Sequence, residues 1–190
     1  MQQRKILVFA GSIRTGALSG KLAAHVAREL ALLGAEASLI SLGDYELPLY
    51  NGDLEKTKGV PENANKLRRM MLANEGVYIA TPEYNASMPP LLKNAIDWVS
   101  RSKEPAENPF KKCVFALGAT SDGRFGGYRA LYHLRQSLEL GLSALVLPQQ
   151  VAIAQAESAF DERGALKDER NQKLLRGSID RLLEVAGALA

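Results

Sequence analysis

The chain has 190 residues, 46% of them hydrophobic, and a formal net charge of +3 at pH 7. This size predicts one domain with a substantial core, over residues 1–190. The charges form no basic stripe, which argues against a nucleic-acid partner. No apolar run approaches the roughly 20 residues of a membrane-spanning helix. The single cysteine excludes an internal disulfide bond, and we expect a cytoplasmic protein without a metal site.

Apolar runs and amphipathic stretches alternate along the chain. The first predicted strand, Ile6–Ala10, is too short for a signal peptide and is typical of a strand buried on both faces. The later strands are predicted at Glu36–Leu42, Gly76–Ala80, Cys113–Leu117 and Ser143–Leu147, with Pro148 closing the last. Helices are predicted to begin near Ala17 and at Pro61, Leu91, Tyr128 and Lys167, and the segment 43–60 is predicted to be irregular.

Strands that alternate with helices predict an α/β fold with a parallel sheet and helices on both faces. Five short strands favour the doubly wound order 2-1-3-4-5, in which ligands bind beyond the carboxyl ends of the strands, where the first and third strands meet. Loops of unusual composition follow strands one, three and four, at Gly11–Ser19, Thr81–Pro90 and Gly118–Gly127. The sequence therefore predicts that three loops converge on one crevice.

The first of these loops carries donors suited to an anion. Its hydroxyls and its guanidinium, from Ser12, Arg14 and Ser19, stand where a strand leads into a helix. The free N–H groups and positive end of such a helix attract phosphate. A triphosphate-binding loop is excluded, because Ala17 and Leu18 occupy the positions of the required Lys and Ser/Thr. The loop favours one terminal monophosphate, and an ordinary strand-to-helix turn is the alternative.

The other two loops could surround a flat ring. Three prolines stiffen the second loop, in which backbone N–H groups at 83–85 could meet the polar edge of a heterocycle. Glycines in the third loop allow close approach of the backbone to a ring, and Ser121 and Asp122 add polar atoms. A phosphate at one end and a planar ring at the other describe a mononucleotide, and flavin mononucleotide (FMN) fits. A proline-stiffened turn and a glycine-rich surface turn are the alternatives.

Three motifs extend this interpretation: "GSIRTGALS", "PEYNASMPPLLKNAIDW" and "GRFGGYRALYHLRQSL". With them, the chain resembles the NAD(P)H-dependent FMN reductases, a family that includes bacterial quinone, azo-dye and chromate reductases. The resemblance implies a flavodoxin-like fold, bound FMN, and a homodimer or homotetramer. By position it implies phosphate contacts from Ser12, Arg14 and Ser19, and ring contacts from Pro82, Glu83, Tyr84, Asn85, Ser121 and Gly123.

The resemblance also implies a reaction. NADPH or NADH delivers a hydride to the flavin, and a small acceptor such as a quinone, free flavin, azo compound or chromate then takes two electrons in the same place, in a ping-pong sequence. Because the flavin carries this chemistry, no catalytic side chain is required. The main alternative is a flavodoxin-type electron carrier without its own substrate. Such carriers tend to be acidic to dock on basic partners, and the net positive charge argues against one.

Two further expectations concern individual residues. Trp98 and the segment Tyr45–Tyr50 are large apolar groups that predict a subunit interface beside the crevice. Cys113 lies in an apolar run, which predicts an inert core thiol.

Overall fold

The computed structural model describes residues 3–189, which fold around a five-stranded sheet. The strands are β1 (Lys5–Ala10), β2 (Glu36–Ile40), β3 (Gly76–Pro82), β4 (Val114–Thr120) and β5 (Leu145–Ile153). Their order is β2-β1-β3-β4-β5, and each neighbouring pair is parallel. The predicted doubly wound, flavodoxin-like order is confirmed.

Helices cover both faces of the sheet. They are α1 (Leu18–Leu32), α2 (Gly52–Lys58), α3 (Glu62–Leu72), α4 (Pro90–Arg101), α5 (Pro109–Lys112), α6 (Tyr128–Gln136), α7 (Ala156–Ala159) and α8 (Glu169–Leu189). Successive strand residues point to opposite faces. Leu7 and Phe9 therefore pack with α3–α6, whereas Ile6 and Val8 pack with α1 and α8.

The strand β5 is longer than the sequence predicts. Its pairing with β4 jumps from Phe115–Val146 to Leu117–Gln150, and Pro148 lies in the skipped part of this bulge. Proline has no N–H to donate, so it is tolerated at a bulge in an edge strand. The prediction that Pro148 ends the strand is therefore wrong, because β5 continues to Ile153.

The segment 43–60 is not wholly irregular, because it contains α2. The Asn51 side chain begins this helix by accepting hydrogen bonds from the N–H groups of Asp53 and Leu54, at 2.8 and 3.4 Å. None of the residues of α2 is buried. The helix was missed because it has no apolar stripe to produce a periodic pattern.

Trp98 is fully buried within its own chain, so the reason given for placing it at a subunit interface is wrong. Its indole Nε1 donates to the carbonyl of Pro48 at 2.7 Å, and the Tyr50 ring packs edge-on against it at 5.0 Å. The segment 45–50 thus covers α4, and Trp98 is buried without a contact from a second copy of the chain.

Cys113 precedes β4 and is buried in the core, as the sequence predicts for an inert thiol. Its Sγ donates to the carbonyl of Met71 at 3.2 Å. Burial raises the pKa of the Cys113 thiol to about 12, so the reactive thiolate is absent at neutral pH.

Within residues 3–189, no helix is both long and apolar enough to cross a bilayer.

Candidate functional site

A crevice of about 210 Å³ opens beyond the carboxyl ends of β1, β3 and β4. This is the edge at which doubly wound proteins bind their ligands. All three loops singled out in the sequence contribute to it, which confirms that they converge. The lining residues are Ser12, Arg14, Ala17, Leu18, Ser19, Pro82, Glu83, Tyr84, Thr120, Ser121 and Asp122.

The loop after β1 leaves its donors free at one end of the crevice. Ala17 provides no side-chain cap for α1, and the first turn of this helix contains no acidic residue. Its first N–H groups are therefore available to a ligand. The exposed Arg14 side chain forms no hydrogen bond or ion pair with the part of the chain that the structure describes, whereas its N–H donates to the Ser12 hydroxyl at 3.3 Å.

Two hydroxyls on the crevice wall are buried without a partner. The Oγ of Ser19 and the Oγ1 of Thr120 have no hydrogen-bond partner among residues 3–189. A buried polar group without a partner costs about 1–3 kcal/mol. Folded proteins rarely leave such groups unpaired, and both atoms belong to residues that line the crevice, where a polar ligand could bind them. Thr120 was not among the predicted site residues, although it belongs to the predicted loop Gly118–Gly127, because loop composition alone does not show that its hydroxyl is buried without a partner.

The loop after β3 forms a tight, rigid turn. The N–H and carbonyl of Tyr84 each bond the backbone of Ser87, at 2.9 and 3.0 Å. Asn85 and Ala86 at the tip have positive φ angles of 48° and 64°. The N–H of Tyr84 is thus engaged inside the turn and is not one of the free donors that the sequence suggested. The half-exposed Tyr84 ring remains on the crevice wall.

The Glu83 carboxylate is held by Arg129 at the start of α6. The Oε1 atom accepts from Nε of Arg129 at 2.9 Å and also from Nη2, and Oε2 accepts from the backbone N–H of Arg129 at 3.2 Å. Only 7% of the Glu83 side chain is exposed. No sequence motif indicates this pairing, because the two residues lie 46 positions apart in the chain.

The loop after β4 is anchored to the end of β5. The N–H of Ser121 donates to the carbonyl of Ile153 at 3.1 Å, and its Oγ accepts from the N–H of Gly123 at 3.2 Å. Asp122 Oδ1 accepts from the N–H of Glu157 at 2.9 Å. These bonds hold the loop after β4 at the crevice, where Thr120, Ser121 and Asp122 form part of the lining.

Seven of the nine predicted site residues line the crevice: Ser12, Arg14, Ser19, Pro82, Glu83, Tyr84 and Ser121. Asn85 and Gly123 lie outside its lining, at the tips of their loops. No group of three or more His, Cys, Asp or Glu side chains suited to a metal ion occurs in the described range 3–189.

The fold and the crevice together define a doubly wound α/β protein with a crevice at its switch point, the edge where proteins of this class bind their ligands. The comparisons with known proteins then identify its family. A family model described as NADPH-dependent FMN reductase matches residues 4–158. The chain therefore belongs to the NADPH-dependent FMN reductase family.

Individual relatives agree with this assignment. The chain is 39% identical to an NAD(P)H-dependent FMN reductase of Pseudomonas aeruginosa, over 94% of this chain and 92% of that protein. It is 34% identical to a quinone reductase of Escherichia coli K12, over 77% and 74% of the two chains. Among solved structures, a flavoenzyme NAD(P)H:(acceptor) oxidoreductase from Paracoccus denitrificans superposes with a TM-score of 0.80 at 32% identity and covers 98% of each chain.

These findings confirm the family, the oxidoreductase class and the cofactor pair predicted from the sequence, FMN with NAD(P)H. They favour the reductase over the flavodoxin-type carrier, because these relatives are named for reductase or oxidoreductase activity.

Proposed function

We propose that the crevice binds FMN, with the phosphate at the loop after β1 and the ring between the loops after β3 and β4. The buried Ser19 hydroxyl carries this proposal, because it lines the crevice beside an uncapped helix end and lacks any partner among residues 3–189. A phosphate oxygen is the acceptor that this hydroxyl and the first N–H groups of α1 require.

The unpaired Arg14 supports the same assignment. Its guanidinium can give a forked, charge-assisted contact to a phosphate dianion, and no acidic side chain of the described residues competes for it. The dipole of α1 adds to this attraction. In the proposal, Ser12 orders the loop through its bond with the Arg14 N–H and provides a further hydroxyl.

The ring end is formed by Pro82, Glu83 and Tyr84 on one side and by Thr120 and Ser121 on the other. We assign Asn85 and Gly123 to this end through their backbone. Asn85 occupies the positive-φ tip of the turn, and the Gly123 N–H orients the Ser121 hydroxyl. The orphaned Thr120 hydroxyl provides a hydrogen-bonding group for the polar edge of the ring.

The proposed reaction converts NAD(P)H, a proton and a quinone into NAD(P)⁺ and the hydroquinone. When bound, FMN supplies the two-electron chemistry that links donor and acceptor. The chain binds and orients the reactants in one crevice. The quinone gains the two electrons of the donor's hydride together with two hydrogens, one delivered with that hydride and one as a proton from solvent. NAD(P)H occupies the crevice first, and the quinone binds in the same place after NAD(P)⁺ has left.

Initial-rate kinetics test this function. Protein loaded with FMN should oxidise NADPH continuously when a soluble benzoquinone is present, with parallel double-reciprocal lines as both concentrations vary. Intersecting lines would show that donor and acceptor are bound together and would contradict the shared crevice. Absence of FMN binding by the purified apoprotein would overturn the whole proposal.

We further propose that the protein works as a homodimer or homotetramer in the cytoplasm, where NAD(P)H is available. The exposed aromatic side chains Phe125, Tyr128 and Tyr132 support self-association, because they lie in or just after the loop that borders the crevice. Exposed aromatic groups of this kind mark protein interfaces.

A further inference from the structure

The structure connects the two ring-side loops through one buried carboxylate. Glu83 directly follows β3 and precedes the tight turn at Tyr84, whereas Arg129 lies in the first turn of α6. Three N–H groups of Arg129 reach the Glu83 carboxylate, so both of its oxygens have donors inside the protein. A buried carboxylate needs such compensation, and among residues 3–189 Arg129 provides it.

The same contact completes the beginning of α6. Gly127 provides no side-chain cap for this helix, and its first turn contains no acidic residue. Glu83 supplies both functions from the neighbouring loop, because it accepts the backbone N–H of Arg129 and places a negative charge at the positive helix end. The turn at Tyr84 is therefore fixed relative to α6.

The contact extends to the loop after β4. The ring of Phe125 lies beneath two guanidinium groups, with the Cζ atom of Arg129 at 5.6 Å and that of Arg124 at 4.9 Å from its centroid. Arg129 thus contacts the loops on both sides of the proposed ring site.

We propose that Glu83 is a positioning residue: its carboxylate binds Arg129 instead of the cofactor, and the pair sets the separation of the two loops that hold the flavin ring. This inference rests on the proposed function and changes the role that the sequence motif implies for Glu83. The pair also neutralises a buried negative charge beside a crevice that accepts an anionic ligand.

Variants that remove one or both charges of the pair distinguish the proposal from a direct contact between Glu83 and the flavin ring. In Arg129→Ala the carboxylate loses the guanidinium and keeps only the backbone N–H of residue 129, so its charge faces the crevice without a cation. FMN and riboflavin affinity should then each fall by roughly tenfold or more. Removing that charge as well, in Glu83→Gln/Arg129→Ala, should restore part of the loss. Arg129→Lys should lose less affinity than Arg129→Ala, because it keeps the charge without the fork.

The test is fluorescence titration of the apoprotein with each flavin for the wild type, the single variants Arg129→Ala and Glu83→Gln, the double variant and Arg129→Lys. Arg124→Ala is the matched control: its guanidinium covers the same Phe125 ring but binds no carboxylate of residues 3–189, so flavin affinity should stay near the wild-type value. Restored affinity in the double variant supports the pair. A double variant that binds more weakly than either single variant, with the two losses multiplying, overturns it and indicates a direct ring contact.

Thermal unfolding of each apoprotein separates positioning from loss of folding. If Arg129→Ala does not fold, Arg129→Lys takes its place and is combined with Glu83→Gln. Recovered flavin affinity in that double variant again supports the pair, and multiplied losses again overturn it. If the wild-type apoprotein binds neither flavin, the proposed function itself fails. If the wild-type apoprotein binds both flavins but the affinity losses of the single variants multiply in the double variant, only the role of the Glu83–Arg129 pair is rejected.

Discussion

Ser19 combines two properties that rarely occur together, complete burial and a hydroxyl with no partner among the described residues. Without a ligand, the Ser19 side chain destabilises the protein, because its hydroxyl has lost its hydrogen bonds to water and has gained none within the protein. It becomes favourable only when the crevice holds an acceptor. The residue is therefore better explained by ligand binding than by the stability of the fold.

Ser19→Ala should consequently change stability and affinity in opposite directions. We expect the free energy of unfolding of the apoprotein to stay level or to rise by up to about 1 kcal/mol, because an unpaired hydroxyl is removed. FMN affinity should fall roughly tenfold to a hundredfold, the worth of a hydrogen bond to a charged group. Denaturant unfolding and fluorescence titration measure the two quantities.

Ser178 provides the control for this experiment. It is equally buried, but its hydroxyl donates to the carbonyl of Gln149 at 3.2 Å. Ser178→Ala should destabilise the apoprotein and leave FMN affinity unchanged. If Ser19→Ala behaves in the same way, the Ser19 hydroxyl has no role in binding phosphate.

At the scale of single elements, the glycines before α6 determine how closely this helix approaches the sheet. Gly126 has a φ angle of 61°, and a Cβ atom there would lie 2.7 Å from the backbone of Ala152 and Ala154. Backbone atoms cannot move aside as a flexible side chain can. The loop after β4 therefore needs glycine at this position for two independent reasons.

Gly126→Ala should lower the free energy of unfolding by about 2–4 kcal/mol, from the left-handed backbone and the overpacking together. Gly123→Ala in the same loop should be nearly neutral, because the nearest atom to its Cβ is the Ser121 Oγ at 3.4 Å. Thermal or denaturant unfolding compares the two variants. Equal stability of both would show that the loop adapts freely and does not hold α6 in place.

The sequence predicted those elements that bury an apolar pattern. The continuous run at Ile6–Ala10 and the stripe of Leu22, Val26 and Leu30 on α1 are decided by burial alone. Residues 6–9 and the stripe are buried, and Ala10 is half-buried at the end of the strand. The polar helix α2 and the bulge at Pro148 were not predictable in this way. One forms through a local Asn51 cap and the other through the geometry of an edge strand.

The candidate site shows the same division. Loop composition and strand order placed Ser12, Pro82 and Ser121, from three different loops, in one crevice, because the carboxyl ends of parallel strands share an edge. The pairing of Glu83 with Arg129 joins residues that are distant in the chain, and no spacing rule reveals it. The motif could indicate that Glu83 matters but not which group its carboxylate binds.

At the scale of the whole molecule, α6 presents a face that the described residues 3–189 leave exposed. Tyr128 and Tyr132 are one helical turn apart and are 53% and 65% exposed. By contrast, Trp98 is enclosed by the segment 45–50 of its own chain. Self-association is therefore expected through the α6 side of the molecule.

We expect sedimentation of the wild type at micromolar concentration to show a dimer or a larger species. Tyr132→Glu should shift the distribution toward smaller species, because a charge on the α6 face opposes its burial. Leu32→Glu is the control, since Leu32 is 80% exposed but lies at the end of α1, on the other side of the sheet. A wild-type monomer, or an equal shift in both variants, would contradict this interface.

The central claim is that the crevice holds FMN by its phosphate, and Arg14 tests it most directly. Its guanidinium lines the crevice and has no acidic partner among residues 3–189. A charge-assisted hydrogen bond from it to the phosphate contributes about 1.5–3 kcal/mol, so Arg14→Ala should weaken FMN binding roughly tenfold to a hundredfold. Arg14→Lys should recover only part of this, because an ammonium group cannot make the forked contact.

The decisive measurement is titration of the wild-type and Arg14→Ala apoproteins with both FMN and riboflavin. Riboflavin lacks the phosphate, so its affinity should be nearly the same for the two proteins while that of FMN falls. An equal loss of affinity for both flavins, or no loss for either, would contradict the assignment of the loop after β1 as the phosphate site.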